Sequence, residues 1–338
     1  MSPASHRRGA GTPPVGVLVM AYGSPASAGD VEAYYTHVRR GRPPTPELLA
    51  DLERRYRAIG GTSPLVERTT AQADGVQAEL DRRAPGRFRV FLGCKHSPPF
   101  LEDAVASMEG AGLRQVVGLV LAPHYSALSI GEYIERVRKA AASAPGDGLE
   151  LAFVESWHLA PGLIELLVER LRTAVDEAAR GAGVAVDGAA RAGGPVEVLV
   201  TAHSLPSRIL ETGDPYPEQL RQTAEAVAAG AGVSRWRLAW QSAGRTPEPW
   251  LGPEILEVLR GLPGESPEVR AVVICPAGFV SDHLEVLYDV DVEARALAEG
   301  EGMVLTRTAS LNDDPRLLAT LADLVEERAS ALAGTPQA

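Results

Sequence analysis

Two groups of residues in this chain have the types and spacing to do chemistry. One is a histidine, His203, closing an apolar run in LVTAHSLP. The other is a row of acids in SDHLEVLYDVDVEA, residues 281–294, where Glu285, Asp289 and Glu293 recur at every fourth position. At about 100° per residue this spacing stacks three carboxylates along one stripe of a helix, with Leu284, Leu287 and Val290 on the other side. Like charges at i,i+4 repel by roughly 0.2–0.5 kcal/mol per pair, and no Lys or Arg lies inside the stretch to relieve them. Such a stripe is tolerable where a divalent cation or a shared proton occupies it. An imidazole and a carboxylate facing one crevice can bind a first-row divalent metal with positions left open, or accept protons from a bound substrate. On the same ideal helix His283 falls about 80° beyond the edge of the stripe, and Asp282 falls within the stripe with no role assigned, a solvated acidic face being its ordinary reading.

Other polar groups read two ways. Tyr22 follows the apolar run VGVLVMA; a tyrosine there is ordinarily a packing residue, and it can also be an oxygen ligand to iron. Arg39, Arg40 and Arg42 in HVRRGRPP are either a solvated helix end or a clamp for carboxylates, which Arg grips bidentately. His96 and His124 follow apolar runs and are candidates to line the same crevice, whereas His37 reads as a surface or packing residue.

The elements that must position these groups follow from a repeating pattern. Short β-rich runs stand at 15–20, 89–94, 115–121 and 151–155, and again at 196–201, 237–241, 269–275 and 303–308. Longer amphipathic stretches separate them, such as 46–59, 67–83 and 217–229. Largely apolar strands between helices predict parallel sheets covered on both faces. Four strands and then four more predict two doubly wound α/β domains. The two halves share a layout: the first strand of each ends in a turn, AYGSP at 21–25 and AHSLP at 202–206. Polar and ring-bearing residues gather where strands stop, which is where open α/β sheets bind ligands. The site is therefore expected in the cleft between the domains. The expected organisation is a disordered segment at 1–13, a first domain at 14–148 and a second at 149–314. A surface loop is expected at 181–195, and the last helix, 315–332, is expected to return to the first domain.

Composition excludes several classes. The chain has 338 residues and a formal net charge of −11, which disfavours general binding to nucleic acid or anionic membrane. Two cysteines, Cys94 and Cys275, argue against a disulfide scaffold and for a reducing compartment. The longest uncharged run is interrupted by Pro, His, Ser and Gly and is too short to span a bilayer. These features predict a cytoplasmic protein with no membrane insertion. Neither a G-x-G-x-x-G turn after the first strand nor a phosphate-loop motif is present, so a dinucleotide dehydrogenase is disfavoured.

Four segments taken together resemble one family. TAHSLPSRILETGDPYPEQL (201–220), WQSAGRTPEPWLGP (240–253), GFVSDHLEVLYDVDVEA (278–294) and RYRAIGGTSPL (55–65) are similar to the signatures of the ferrochelatases. VLVMAYGSP, YYTHVRRGRPP and LGCKHSPPF resemble the coproporphyrin III branch found in Gram-positive bacteria and actinobacteria. The resemblance implies two Rossmann-like domains, each a four-stranded parallel sheet flanked by helices in a chelatase-like fold, with the active cleft between them. It implies insertion of Fe²⁺ into coproporphyrin III to give coproheme, with two pyrrole protons released. The carry-over assigns His203 and Glu285 to metal binding and proton removal, and Tyr22 to the opposite face as an axial ligand of the product iron. It assigns Arg39, Arg55, Tyr56, Ser63 and Tyr133 to porphyrin contact, and Asp289 and Glu293 to an outer metal site admitting Mg²⁺ or another divalent ion. It implies coproporphyrin III and Fe²⁺ as partners, a downstream coproheme decarboxylase as a further partner, and a monomer. Some actinobacterial relatives carry a [2Fe–2S] cluster; two cysteines are too few for its four ligands, so no cluster and no cofactor beyond substrate iron is expected. The alternatives are a protoporphyrin IX ferrochelatase, a cobalt chelatase of similar fold, and a non-catalytic haem or porphyrin carrier.

Overall fold

The computed structural model describes residues 13–143, 148–184 and 194–333. The N-terminal segment 1–12, residues 144–147 before the expected domain boundary, residues 185–193 of the expected loop and residues 334–338 lie outside the described residues, and the strand at 150–154, expected in the second domain by that boundary, joins the first sheet. The apolar runs become eight strands. β1 (Val15–Ala21), β2 (Phe88–Cys94), β3 (Gln115–Val120) and β4 (Glu150–Val154) form one sheet in the order β2-β1-β3-β4. β5 (Val196–His203), β6 (Trp236–Gln241), β7 (Ala271–Cys275) and β8 (Val304–Arg307) form a second, in the order β6-β5-β7-β8. Every pairing is parallel. Each strand thus holds the same place in its sheet as the strand four later holds in the other, and both sheets are flanked by helices, as the alternating pattern predicts.

In the first half the helices are α1 (Val31–Val38), α2 (Pro46–Ala58), α3 (Leu65–Arg83), α4 (Leu101–Gly110) and α5 (Ile130–Ser143). α6 (Pro161–Gly181), α7 (Tyr216–Ala231), α8 (Ile255–Glu265), α9 (Arg295–Gly300) and α10 (Pro315–Ala333) follow. α2 starts on a proline, with Thr45 Oγ1 accepting from the Leu48 N–H at 3.4 Å, a side-chain cap on an otherwise orphan donor. α6 buries Leu163, Leu166, Leu167, Leu171, Ala174, Val175 and Ala178, a stripe at helical spacing. It follows β4 of the first sheet, yet it packs on β7, β8 and α7 of the second half. α10 returns to the first half, against α3, β3 and β4, and also touches α6. One apolar core therefore runs from Val17 and Val19 in β1, through α3, α6 and α10, to Val198 and Val200 in β5. Among the described residues, no helix is long and apolar enough to cross a membrane.

The acidic stretch departs from expectation. Residues 281–283 precede the helix, which begins at Leu284, and Glu285–Ala294 is π-helical before it passes into α9. A π-helix bonds i to i+5, with one more residue per ring than the α-helix assumed for 281–294, and such turns gather at functional sites.

Candidate active site

The carboxyl ends of both sheets open onto a shared cleft of about 950 Å³, lined by residues of both halves. That is the upper end for small-molecule sites and suits a large flat ligand.

On the second-half wall, His203 is the last residue of β5 and stands opposite Gln241 of β6 in register. Gln241 is buried and ties β5 to the acidic helix on this wall. Its Oε1 accepts from Thr201 Oγ1 at 2.8 Å, and its Nε2 donates to the Glu285 carbonyl at 3.2 Å. The Glu285 carboxylate lies between two imidazoles: His203 Nε2 is 3.6 Å from Oε1, and His283 Nε2 is 3.6 Å from Oε2. His203 Nδ1 hydrogen-bonds the Ser204 carbonyl, which fixes the proton on Nδ1 and aims Nε2 at Glu285. Gly278, in the loop after β7, presses on the strand beside His203; a Cβ there would stand 2.4 Å from the Ala202 Cβ.

The charges at this pair are strongly coupled. Desolvation between the cleft walls opposes the imidazolium of His203, but Glu285 outweighs it and lifts His203 above the ordinary imidazole value. Glu285 is desolvated too, yet His203 and His283 hold it well below the usual carboxylate range. The pair is therefore a carboxylate that stabilises a proton arriving on His203. His283 enters although the ideal-helix reading put it beside the stripe. It precedes the helix, so helical angles do not govern it and its ring reaches the second carboxylate oxygen.

On the opposite wall, Tyr22 directly follows β1 and is 43% exposed to the cleft. Gly23 turns the chain beneath it with φ +88°, and a Cβ there would meet Ser97 Oγ at 2.3 Å. The Tyr22 ring lies 4.6 Å from that of His96. Burial, then the charge of Lys95, pushes His96 down to about 3, so it is a neutral ring. His96 Nδ1 pairs with His37 Nδ1 at 3.0 Å, and His37, read from sequence as a surface or packing residue, lines the cleft. Tyr56, Ser63 and Tyr133 also line it. Burial pushes the Tyr56 phenol up to about 12. Ser63 Oγ accepts from the Leu65 N–H at 3.2 Å. Tyr133 is buried beneath Lys95, whose Nζ sits 5.2 Å from the ring centroid and pairs with Glu132.

The arginines are placed unevenly. Arg40 lines the cleft and pairs with Glu132 at 3.3 Å, while Arg39 donates its Nε to the Arg42 carbonyl at 3.3 Å. Arg55 turns to Asp51 at 3.2 Å and Asp289 at 3.3 Å, and stacks over Tyr288 with 5.0 Å to the ring centroid. Arg136 and Lys139 of α5 and the buried Lys95 add cationic groups to the wall. Sequence reading singled out none of these three, although Lys95 stands within LGCKHSPPF.

Along the π-helix the acids separate. Asp289 is buried; Arg55 holds its Oδ1, and Ser242 donates to its Oδ2. Even so, burial and the nearby Glu285 charge prevail and raise its carboxyl to about 6. Glu293 is half-buried, and its charge reaches Asp289 and Glu254. Asp282, to which the sequence assigns no role, is a structural anchor: it accepts from Ser310 Oγ at 2.7 Å and Asn312 Nδ2 at 2.9 Å, and pairs with Arg307 at 3.3 Å. Asp291 pairs with Arg307 as well. Among the described residues, no three His, Cys, Asp or Glu side chains converge as a metal-binding group. Cys94 and Cys275 are free and buried, each thiol pushed up to about 11 by desolvation.

Two parallel-sheet halves that turn their strand ends to one shared cleft place the chain among two-domain α/β proteins with the ligand held between domains. The fold is shared with the sirohydrochlorin chelatase SirB of Bacillus subtilis subspecies spizizenii, at a TM-score of 0.55 and 12% identity over 95% of this chain and 98% of that one. The sequence pattern of the family described as Ferrochelatase matches residues 14–329, and the chain belongs to that family of metal chelatases. It is 44% identical over 315 residues to the coproporphyrin III ferrochelatase of Anoxybacillus flavithermus, covering 92% of this chain and 95% of that relative. It is 42% identical to the protein of the same name in Bacillus subtilis, over 92% of this chain and 96% of that one. A Deinococcus radiodurans ferrochelatase is 40% identical over 95% of this chain and 98% of its own length.

Proposed function

We propose that this chelatase inserts Fe²⁺ into coproporphyrin III, giving coproheme and releasing two pyrrole protons. The observation that carries this reading is the His203–Glu285–His283 group on one wall of a cleft large enough for a tetrapyrrole, in a chain over 40% identical to relatives of that name. In this reading neutral His203 accepts a pyrrole proton at Nε2, and Glu285, 3.6 Å away, neutralises the imidazolium that forms. His283 on the second oxygen gives the proton a further station. Tyr22 faces the other side of the ring, where its phenol can reach the product iron. Tyr56, Ser63 and Tyr133 line the ring-binding wall, and four propionates call for cations at its rim. Arg40, Lys95, Arg136 and Lys139 are candidates along with Arg39 and Arg55; as placed, Arg40 and Lys95 share Glu132, Arg136 pairs with Glu102, and Arg55 must leave Asp289 to reach a propionate. An outer divalent ion at Asp289 and Glu293 would likewise compete with Arg55 at Oδ1 and with Ser242 at Oδ2. The product then requires a decarboxylase to become haem.

Anaerobic iron insertion, followed by absorbance with coproporphyrin III and protoporphyrin IX side by side, tests the reading. Turnover with coproporphyrin III is expected to be the faster. His203→Ala is expected to remove most insertion while leaving porphyrin affinity within about tenfold, roughly 1.4 kcal/mol. Preference for protoporphyrin IX would refute the substrate, and full activity in H203A the role of His203.

A further inference from the structure

Asp214 lies in the turn that leads into α7, in the segment ETGDPY. Its carboxylate is held by neutral donors. Oδ1 accepts from the Tyr216 N–H at 3.0 Å. Oδ2 accepts from Ser126 Oγ at 2.9 Å and from the Ala127 N–H at 2.8 Å. Ser126 and Ala127 belong to the loop between β3 and α5, so two of the three bonds cross from one half of the molecule to the other. Ser126 is fully buried, and bonds to a carboxylate are of the stronger, charge-assisted kind.

The same turn reaches the site. Tyr216, whose N–H Asp214 holds, donates its hydroxyl to the His203 carbonyl at 2.9 Å. Farther along α7 the contact between halves continues. Gln219 Oε1 accepts from the Tyr125 N–H at 2.7 Å and from Ser156 Oγ at 2.9 Å. Thr223 Oγ1 donates to the His158 carbonyl at 3.0 Å. One unbroken run of bonds thus leads from the first-half loop, through Asp214 and Tyr216, to the backbone of the histidine that faces Glu285.

We propose that Asp214 is a positioning residue: it clasps the two halves and, through Tyr216, sets where His203 stands relative to the bound ring. The inference rests on the reading of His203 as the proton acceptor. In Asp214→Asn, whichever way the amide turns, its NH₂ meets an N–H donor. Iron insertion and porphyrin binding by fluorescence quenching are to be measured for wild type, D214N, Tyr216→Phe and the double variant. D214N and Y216F are each expected to lower kcat about tenfold, with porphyrin Kd within about twofold. The double variant is expected to lose no more than the worse single one, because both break one run. Ser126→Ala keeps the Ala127 donor and is expected to lose about threefold, which carries the test if D214N does not fold. Amide exchange at Ala127 in substrate-free protein is expected to quicken at least about tenfold in D214N. Wild-type kcat in D214N, multiplicative losses in the double variant, or unchanged exchange at Ala127 would each overturn the proposal. Wild-type protein without iron insertion would strike the functional reading alone, since the exchange measurement still decides the clasp.

Discussion

At the scale of residues, Glu285 governs the pH behaviour of the site. It raises His203, so the neutral base that the mechanism needs is populated only above the ordinary imidazole value. Turnover is therefore expected to rise with pH through a limb above about 6.5. In Glu285→Gln that limb should move to lower pH while the maximal rate falls, because the imidazolium loses its counter-charge; a pH–rate profile of both proteins checks this. Asp289 behaves in the opposite sense to a stabilising carboxylate. Its pKa in the fold is about 6 against an ordinary 3.8, so the folded chain binds the proton more tightly than the unfolded one. Stability is fullest below the lower value and is lost as pH rises through the upper, by roughly 3 kcal/mol at most. Asp289→Asn should accordingly be more stable than wild type at pH 8, by roughly 1–3 kcal/mol, and little different at pH 3, in denaturant titrations at the two pH values. Tyr22, His203 and Glu285 are legible in the sequence because strand ends and a four-residue acid spacing announce them. His283 and Gln241 are not. The first joins the site by lying outside the helix, the second through a side chain that bridges two strands, and neither leaves a periodic trace.

Among the elements, the strands are read to within two residues from sequence because fully buried parallel strands are nearly continuous apolar runs. The π-helix is hidden for a geometric reason. Residues four apart lie about 40° to one side of each other in an α-helix, and about as far to the other side when a turn takes some 4.4 residues, so an i,i+4 stripe fits both. The helix is held laterally by Arg54 and Arg55 at Tyr288 and by Ser242 at Asp289, contacts from chain distant in sequence that no local pattern records. The loop after β7 feeds this helix and is seated by Gly278. Gly278→Ala forces β5 and that loop apart, which should cost about 1–3 kcal/mol in thermal or denaturant unfolding. Because the shift falls beside His203, turnover should drop at least tenfold, more than the lost stability alone would cause.

At the scale of the whole molecule, the last helix closes a fold that the chain order alone leaves open. Leu317, Leu321, Ala322 and Val325 of α10 are fully buried, and Arg83 of α3 pairs with Glu326 at 2.9 Å and donates to the Ala319 carbonyl at 3.2 Å. Leu321→Ala should cost about 2–5 kcal/mol. A chain ending at Asp314 should lose cooperative unfolding of the first half while secondary structure persists, as read by circular dichroism and limited proteolysis. The amphipathic pattern marks 315–332 as a helix; its docking partners are set by a crossed arrangement in which α6 serves the other sheet, and no local pattern carries that. The matched strand order of the two sheets has its own result. Tyr22 after β1 and His203 at the end of β5 occupy one and the same topological station, met twice, so in the proposed reading a flat guest would meet a phenol on one face and an imidazole on the other, borne by equivalent points of the scaffold. Coproporphyrin III carries its side chains in no mirror-symmetric order around the ring, so its two faces are enantiotopic. Turning the guest over would exchange the face shown to the imidazole, so a cleft with unlike residues at this matched pair of positions is stereochemically sided.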